Sequence, residues 1–205
     1  MSLQKIKLSD WRLMGGVIAV LQSGGVVMHP TETCYGLCAD ISNKKAVERV
    51  YALKGRDFKK PLSILVDGLY MAQEYGFFSD LALDLAKKYW PGPLSILVPC
   101  KKKLPDFFNS GEEFVALRWS SNAFCQEMVK NFGSPLITTS ANKAGEKECY
   151  EISEKPFADF LAASPSLIVD GGKLLHNKPS TIVKVNGDNL EVLRQGDLIV
   201  PVSTN

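Results

Sequence analysis

The chain has little histidine and lacks the short motifs that mark several common enzyme classes. It contains two histidines, His29 and His176, and five cysteines with no C-x-x-C pair. The sequence therefore lacks the spaced cysteines and histidines of a usual zinc site, and the odd number of cysteines is typical of reduced thiols. The motifs G-x-x-x-x-G-K-[ST], G-x-G-x-x-G, H-E-x-x-H and G-x-S-x-G are all missing. These absences argue against the usual nucleotide-loop, metalloprotease and serine-hydrolase classes.

Long apolar runs and a large net charge are also absent. No run approaches the ~20 apolar residues that a membrane span needs, and the first residues carry no apolar signal core before the helical pattern begins. We therefore expect no membrane span and a cytoplasmic location. The formal net charge of +2 does not by itself indicate a nucleic-acid partner, so any basic surface has to be local.

Hydrophobic periodicity predicts helices alternating with strands. The length of 205 residues suits one domain over residues 1–205, since a domain commonly holds about 100–200 residues. Helices are predicted over 9–25 (with Asp10 as its cap), 43–54, 79–89, 121–132 and 157–163, and strands over 26–29, 61–66, 94–98, 114–118, 136–139, 167–169, 181–185 and 190–193. The turn at 186–189 predicts a hairpin between the last two strands. We expect an α/β (mixed α+β) fold, a twisted mixed parallel and antiparallel sheet flanked by helices, with exposed loops at 101–103 and 142–153.

Four stretches concentrate polar, cationic and small residues near the ends of predicted elements: 29–37, 53–62, 115–119 and 135–142. Open α/β sheets bind ligands at such ends. The first three stretches also have an ordinary explanation. The first is consistent with a strand-to-loop turn, the second with a solvated helix end, and Arg118 in the third with pairing to a distant carboxylate. The functional alternatives are a polyphosphate clamp in the second stretch and a carboxylate clamp at Arg118. Hydroxyl residues in the fourth stretch let a ligand approach the backbone.

Seven ordered blocks together resemble the YrdC-like family. The blocks are Pro30–Leu37 (PTETCYGL), Lys54–Arg56 with Pro61–Leu62, Trp90–Leu94, Ala116–Arg118, Thr139–Asn142, Pro179–Val183 and Leu193–Gly196. The resemblance runs from about residue 10 to residue 198, and the single-domain length resembles the short bacterial form of the family. The order of the blocks over nearly the whole chain is more specific than any one of them.

The resemblance implies a nucleotidyltransferase. It implies that L-threonine, bicarbonate and ATP give L-threonylcarbamoyl-AMP and pyrophosphate, for the t6A modification at position 37 of tRNA. It also implies Mg²⁺ as a cofactor, the downstream tRNA threonylcarbamoyl-transfer machinery as a partner, and weak binding of tRNA. Few histidines suffice, because adenylyl transfer to a carbamate needs cations and positioning more than acid–base groups.

The same resemblance assigns roles to residues of this chain. It places Thr31, Thr33, Tyr35, Arg118, Thr138 and Ser180 around the threonine, with Arg118 on its carboxylate. It places Lys54, Arg56, Lys60, Ser140, Asn142 and Arg194 around ATP, with Lys54 and Arg56 on the polyphosphate as the catalytic cations. No residue of the chain is assigned as a metal ligand.

The chain also departs from the family pattern. Asp57 stands where the family usually has proline, the stretch 119–122 (WSSN) replaces a Val/Met-Pro-x-His sequence, and 143–145 (KAG) replaces a Ser-Gly pair. The sequence is also compatible with two other functions. One is a non-catalytic module that binds double-stranded RNA or tRNA, and the other is a carbamoyl-transfer accessory, which would show no dependence on threonine.

Overall fold

The structure, a computed structural model, describes residues 4–58, 60, 62–101, 104–109, 113–153 and 165–201. The strands are β1 (Gln4–Lys7), β2 (Val27–His29), β3 (Gly36–Asp40), β4 (Ser63–Leu65), β5 (Leu94–Pro99), β6 (Phe114–Arg118), β7 (Leu136–Ser140), β8 (Leu167–Asp170), β9 (Thr181–Asn186) and β10 (Asn189–Arg194). The helices are a 3₁₀ helix (Leu8–Leu13), α1 (Met14–Gln22), α2 (Lys44–Lys54), α3 (Leu69–Tyr75), α4 (Asp80–Tyr89), α5 (Asp106–Asn109) and α6 (Ala123–Phe132).

All these strands belong to one sheet, in the order β1-β8-β2-β3-β7-β4-β6-β5-β9-β10. The pairs β1–β8, β2–β8, β4–β6 and β5–β9 are parallel, and the other neighbouring pairs are antiparallel. This arrangement confirms the mixed α/β prediction. Because β7 lies between β3 and β4, and β8 between β1 and β2, residues far apart in the chain meet on the sheet.

The two faces of the sheet are covered differently. Neighbouring side chains along a strand point to opposite faces, and Ala39, Ile137, Ile64 and Leu117 pair across β3, β7, β4 and β6 on one of them. All four are fully buried, in a cluster that includes buried side chains of α2, α3 and α4. We call this the sealed face.

The opposite side, which we call the open face, bears Cys38 on β3, Leu136 on β7 and Arg118 on β6. Buried side chains of α1 and α6, among them Val17 and Met128, pack with Cys38 and Leu136 in a second apolar cluster. Helices α1 and α6 thus cover the open face at the β8–β2 end of the sheet. Over β4, β6, β5 and β9 the open face carries the small or polar side chains of Ser63, Ala116, Arg118 and Ser95, together with Leu97 and Ile182.

Local signals explain most helix ends. The Asn43 side chain accepts the Ala46 N–H at 3.1 Å and begins α2, which ends at Gly55 in the left-handed region (φ 55°). Ser79 caps α4 as predicted, by accepting the Ala82 N–H at 3.4 Å. Such capping satisfies backbone donors that the first helical turn leaves free.

The predicted helix over 9–25 is wrong in its first part. Residues Leu8–Leu13 form a 3₁₀ helix in which Asp10 leaves helical geometry (φ −93°, ψ 37°), so Asp10 does not cap an α-helix. The regular helix α1 begins at Met14. It ends before Gly24, whose positive φ of 80° a continuing helix cannot accept.

Several elements were not predicted. Strand β3 lies where a turn and loop were expected, and its sequence GLCAD is buried on both faces and so lacks the alternation of a half-buried strand. Strand β1 and helices α3 and α5 were also missed. The segment 142–153 contains no helix or strand, as predicted, but Cys149 is fully buried and its carbonyl accepts the Tyr35 N–H at 2.8 Å. The helix predicted over 157–163 lies outside the described residues.

Within the part of the chain that the structure describes, none of the helices combines the length and hydropathy needed to cross a bilayer.

Candidate active site

A cavity of about 410 Å³ lies on the open face of the sheet. Its floor follows from strand alternation, because Ser63, Ser95, Ala116, Arg118 and Thr138 all point to this side. All but Arg118 are small or hydroxyl-bearing, and Ser63, Ser95 and Ala116 each lie between apolar residues of the cluster on the sealed face. Small side chains at alternate positions leave the volume that large apolar residues fill on the other face.

The loop between β2 and β3 forms one wall through Thr31, Thr33 and Cys34. The Thr31 hydroxyl donates to the Cys34 carbonyl at 2.7 Å and accepts the N–H of Thr33 at 3.0 Å. The Thr33 hydroxyl lies 2.9 Å from that of Thr31. Local side-chain hydrogen bonds of this kind fix the backbone without a helix or strand. The turn therefore holds Thr33 against the cavity.

Arg118 stands at the end of β6 with only 9% of its surface exposed. Its Nη2 donates to the Glu32 carboxylate at 2.9 Å and to the Thr33 hydroxyl at 3.2 Å. The Nε atom is buried and has no hydrogen-bond partner among the described residues. Arg118 thus pairs with a distant carboxylate, as one of the two interpretations held, and it also lines the cavity. The two interpretations are compatible.

Glu32 receives hydrogen bonds on both carboxylate oxygens. Ser120 Oγ donates to Oε2, and the Ser121 N–H donates to Oε1 at 3.4 Å. Burial opposes ionisation, but the charge of Arg118 and the hydrogen bond from Ser120 outweigh it and lower the pKa of Glu32 below its usual value. Glu32 is therefore a carboxylate at neutral pH.

Arg194 and two serines form a second polar group at the cavity. Arg194 donates through Nε and Nη2 to the Ser180 carbonyl at 3.0 and 2.8 Å, and through Nη2 to the Ser180 hydroxyl at 3.1 Å. The Ser180 hydroxyl lies 3.0 Å from that of Ser95. Each serine hydroxyl has one hydrogen, and only one of the two hydrogens is used in the hydrogen bond between the serines. The other hydrogen can be donated to a ligand.

Lys54 is buried in the last turn of α2, with 3% of its surface exposed. Its ammonium donates to the Ser140 carbonyl at 2.7 Å, to the Ser140 hydroxyl at 3.2 Å and to Asn142 Oδ1 at 2.7 Å. Burial, with a smaller contribution from Arg56, lowers the pKa of Lys54 to about 8. Lys54 is thus no solvated helix end, and it ties α2 to the end of β7.

Arg56 leaves the helix in a different direction. Gly55, with its positive φ, turns the chain, and Arg56 Nε then donates to the Lys60 carbonyl at 3.0 Å. Arg56 and Lys60 both line the cavity, whereas Lys54 does not. The single glycine between the two cations therefore separates a buried one from one that a ligand can reach.

Tyr35 points away from the cavity. Its hydroxyl donates to the Gly172 carbonyl at 2.8 Å and accepts the Gly171 N–H at 2.9 Å. Burial raises the pKa of Tyr35 above its usual value. Tyr35 thereby holds the segment after β8 beside the loop that carries Thr31 and Thr33.

The buried histidine and thiols do not form a nucleophile at this cavity. His29 is fully buried, lies 3.4 Å from Cys125 Sγ, and has its pKa lowered by burial to about 4. Burial raises the pKa of Cys34, which lines the cavity, to about 11 and that of Cys125 to about 12. Both thiols are protonated at neutral pH, so a thiolate is not the reacting group.

The cavity brings together most of the predicted site residues. Those that line it are Thr31, Thr33, Arg56, Lys60, Arg118, Thr138, Ser140, Ser180 and Arg194. Those that do not are Tyr35, Lys54 and Asn142. The sequence analysis assigned no site role to the other lining residues, which are Cys34, Gly36, Leu62, Ser63, Ser95, Leu97, Ala116, Thr139, Pro179, Ile182 and Leu193. The signal that could have found Ser63, Ser95 and Ala116 is a serine or alanine at an alternating position within an otherwise apolar strand.

Among the described lining residues, four are cations and none is a carboxylate. An α/β protein with such a cavity over its mixed sheet is of the class that binds an anionic small molecule. The family model Sua5_yciO_yrdC, described as "Telomere recombination", matches residues 19–196. The chain belongs to this Sua5/YciO/YrdC family.

Named relatives cover most of the chain. The threonylcarbamoyl-AMP synthase of Photobacterium profundum is 32% identical over 183 residues, which are 88% of this chain and 97% of that one. The threonylcarbamoyl-AMP synthase of Thiobacillus denitrificans is 31% identical over 169 residues, 82% and 88% of the two chains. These relatives confirm the predicted family and the predicted class of enzyme.

Solved structures show the same fold. The crystal structure of P. abyssi Sua5 complexed with L-threonine matches with a TM-score of 0.85 and 25% identity over 96% of this chain. The present chain spans 58% of that Sua5 chain. The crystal structure of E. coli YciO matches with a TM-score of 0.83 and 24% identity, over 95% of both chains, and shows the fold alone. The predicted fold class is confirmed.

Proposed function

We propose that this chain is a threonylcarbamoyl-AMP synthase, a nucleotidyltransferase that uses L-threonine, bicarbonate and ATP. The amine of threonine and bicarbonate combine to a carbamate with loss of water. A carbamate oxygen then forms a bond to the α-phosphorus of ATP as the bond to pyrophosphate breaks. The products are L-threonylcarbamoyl-AMP and pyrophosphate.

The observation that carries the proposal is Arg118 in the cavity. Its guanidinium is nearly buried, and its Nε–H is a donor with no partner in the described structure. The Nε atom itself is buried, so a ligand would contact the part of the Arg118 side chain that lines the cavity. A carboxylate is the planar anion that matches a guanidinium. We assign the carboxylate of threonine to Arg118.

The other residues assigned to the substrate threonine lie around Arg118. Thr33 contacts the guanidinium, and Thr31 fixes the turn that carries Thr33. Thr138 and Ser180 line the cavity on either side. Tyr35 acts from outside it, by holding residues 171–172 beside the same loop. Together these residues recognise one small amino acid by directed hydrogen bonds.

Of the residues assigned to ATP, four line the cavity and two support it from outside. Arg56, Lys60 and Arg194 line it and are assigned to the phosphates, and Ser140 to the nucleotide. Lys54 and Asn142 hold the Ser140 end of β7 and serve the nucleotide site through it. Fixed cations of this kind lower the barrier by stabilising charge that develops between the α-phosphate and the leaving pyrophosphate.

Mg²⁺ is proposed to enter on ATP. The described lining residues offer hydroxyls but no carboxylate, and the described part of the chain holds no group of three or more His, Cys, Asp or Glu that fits a metal ion. Magnesium in such sites is held by substrate phosphates and water with few protein ligands. The ion would supply charge neutralisation on the triphosphate, and no step is assigned to a protein-bound metal.

The product is an activated intermediate, and we assign its use to the tRNA threonylcarbamoyl-transfer machinery that makes t6A. Location in the cytosol and weak binding of tRNA belong to the same proposal. The proposed binding of tRNA rests on the family resemblance and not on a feature of the cavity.

The test is release of pyrophosphate from ATP with threonine and bicarbonate each present or omitted. We expect release only with all three substrates. Release that ignores threonine would support the carbamoyl-transfer alternative. The RNA-binding alternative predicts no release and an RNA affinity that falls steeply with salt.

A further inference from the structure

The ion pair between Glu32 and Arg118 has a feature that substrate binding does not explain. Glu32 is absent from the cavity lining, yet its carboxylate receives Arg118, the Ser120 hydroxyl and the Ser121 N–H. Its side chain is 16% exposed and that of Arg118 is 11% exposed. The carboxylate therefore lies behind the guanidinium, away from the space that a ligand occupies.

The backbone of Glu32 is also held in place. The Asn177 side chain donates to the Glu32 carbonyl at 3.0 Å, and the neighbouring turn is closed by the Thr31 hydroxyl. On the other side, Ser120 Oγ accepts the Asn122 N–H at 3.2 Å at the start of α6. Glu32 is thus fixed both by its own loop and by the segment that follows β6.

We propose that Glu32 is a positioning residue, which holds one nitrogen of the Arg118 guanidinium so that the donors on the cavity side meet the threonine carboxylate. Ser120 assists by holding the carboxylate of Glu32. The inference rests on the proposed function, because it takes threonine as the ligand of Arg118.

A guanidinium recognises a carboxylate through the direction of its N–H bonds, so the orientation of its plane matters as well as its charge. An arginine without Glu32 would keep its charge and gain rotational freedom. It would also be a nearly buried charge without its counter-ion, which is unfavourable. Both effects weaken a directed contact with the substrate and leave the distant phosphate contacts unchanged.

Two other roles of Glu32 lead to different predictions. If Glu32 merely competed with the substrate carboxylate for Arg118, its removal would tighten threonine binding. If the ion pair served only stability, its loss would lower the melting temperature and affect threonine and ATP equally. The direction of the change in the threonine KM, together with whether the ATP KM changes equally, separates the three roles.

The experiment compares Glu32→Gln and Ser120→Ala with a matched pair elsewhere on the molecule. Asp40 and Ser42 form the same kind of contact, in which the Ser42 hydroxyl donates to Asp40 Oδ1 at 2.8 Å at an exposed position. Asp40 ends β3, whereas the cavity lies beyond its first residue, Gly36. The controls are therefore Asp40→Asn and Ser42→Ala.

The KM values for threonine and ATP are measured by pyrophosphate release for all five proteins, with melting temperatures beside them. We expect Glu32→Gln to raise the threonine KM about tenfold and Ser120→Ala about threefold, with the ATP KM changed less than about twofold. The control variants should leave both KM values unchanged.

An equal rise in both KM values, or a lower threonine KM in Glu32→Gln, would overturn the inference. Ser120→Ala keeps the test open if Glu32→Gln does not fold. Failure of the proposed function is distinct, because the unmodified protein would then show no threonine-dependent release at all.

Discussion

The sealed and open faces of one sheet differ in what their alternate residues are. On β6, Leu117 points to the sealed face and is fully buried among apolar side chains, while the next residue, Arg118, points to the cavity. On β5, Ile96 and Ser95 divide in the same way. One strand thus supplies the core with one set of residues and the binding site with the other. Stability and ligand recognition are therefore separable by substitution at neighbouring positions.

The largest expected effect comes from the pair Arg118→Ala and Leu117→Ala. Loss of a charged hydrogen bond in a nearly buried site costs about 2–4 kcal/mol, so Arg118→Ala should raise the threonine KM by about 30- to 1,000-fold and the ATP KM far less. Leu117→Ala should instead lower the free energy of unfolding by about 2–5 kcal/mol and leave the ratio of the two KM values intact. The measurements are pyrophosphate release and urea denaturation.

An equal rise in the KM values for threonine and ATP in Arg118→Ala would make Arg118 structural. It would also remove the distinction between the faces at β6.

An intermediate effect is expected when an alanine is enlarged on each face. Ala116 lines the cavity, so Ala116→Leu should occupy space that substrate needs and lower kcat/KM about tenfold or more, with little change in stability. Ala39 is fully buried on the sealed face, so Ala39→Leu should overpack it and lower stability by about 1–3 kcal/mol. Steady-state kinetics and thermal melting of both variants test this contrast. A strongly destabilised Ala116→Leu protein would show that the open face is packed as tightly as the sealed one.

The smallest effect concerns the pH dependence of stability. Burial lowers the pKa of Lys54 from 10.5 to about 8, so between these values the unfolded chain binds more protons than the folded one. The contribution of Lys54 to the free energy of unfolding therefore rises with pH across this window, by at most about 1.4 kcal/mol per pH unit. Urea denaturation of the unmodified protein and Lys54→Met from pH 7 to pH 10 should show their difference shifting in favour of the unmodified protein.

The exposed Lys60 provides the control, since Lys60→Met removes a lysine that is not buried. Stability differences that stay constant with pH for Lys54→Met would contradict the prediction.

The sequence alone predicted the mixed fold and nine of the residues that line the cavity, for identifiable reasons. Helix ends follow local chemistry, as at Asn43 and Gly55, and strands with clear apolar runs such as β5 stand out. Strand order does not follow locally, because β7 enters between β3 and β4 from later in the chain. The strand β3 itself was missed because its burial on both faces removes the period of two.

The direction of each predicted site residue was the part that the sequence did not contain. Lys54 and Arg56 form one motif, but the left-handed Gly55 between them sends one to Ser140 and the other to the cavity. The partner of Arg118 was likewise hidden, since Glu32 lies in a different block. Such pairings arise only once distant strands are assembled.

The hairpin of β9 and β10 has a consequence for the order in which the molecule assembles. It brings Ser180, Ile182, Leu193 and Arg194 to the cavity through a parallel pairing of β9 with β5, whose residues come more than eighty positions earlier. Parallel contacts between segments so far apart form slowly in folding. A ligand that binds only the completed cavity must also favour the docked hairpin, by mass action. Backbone amides of the hairpin should therefore exchange with deuterium more slowly when threonine and ATP are present.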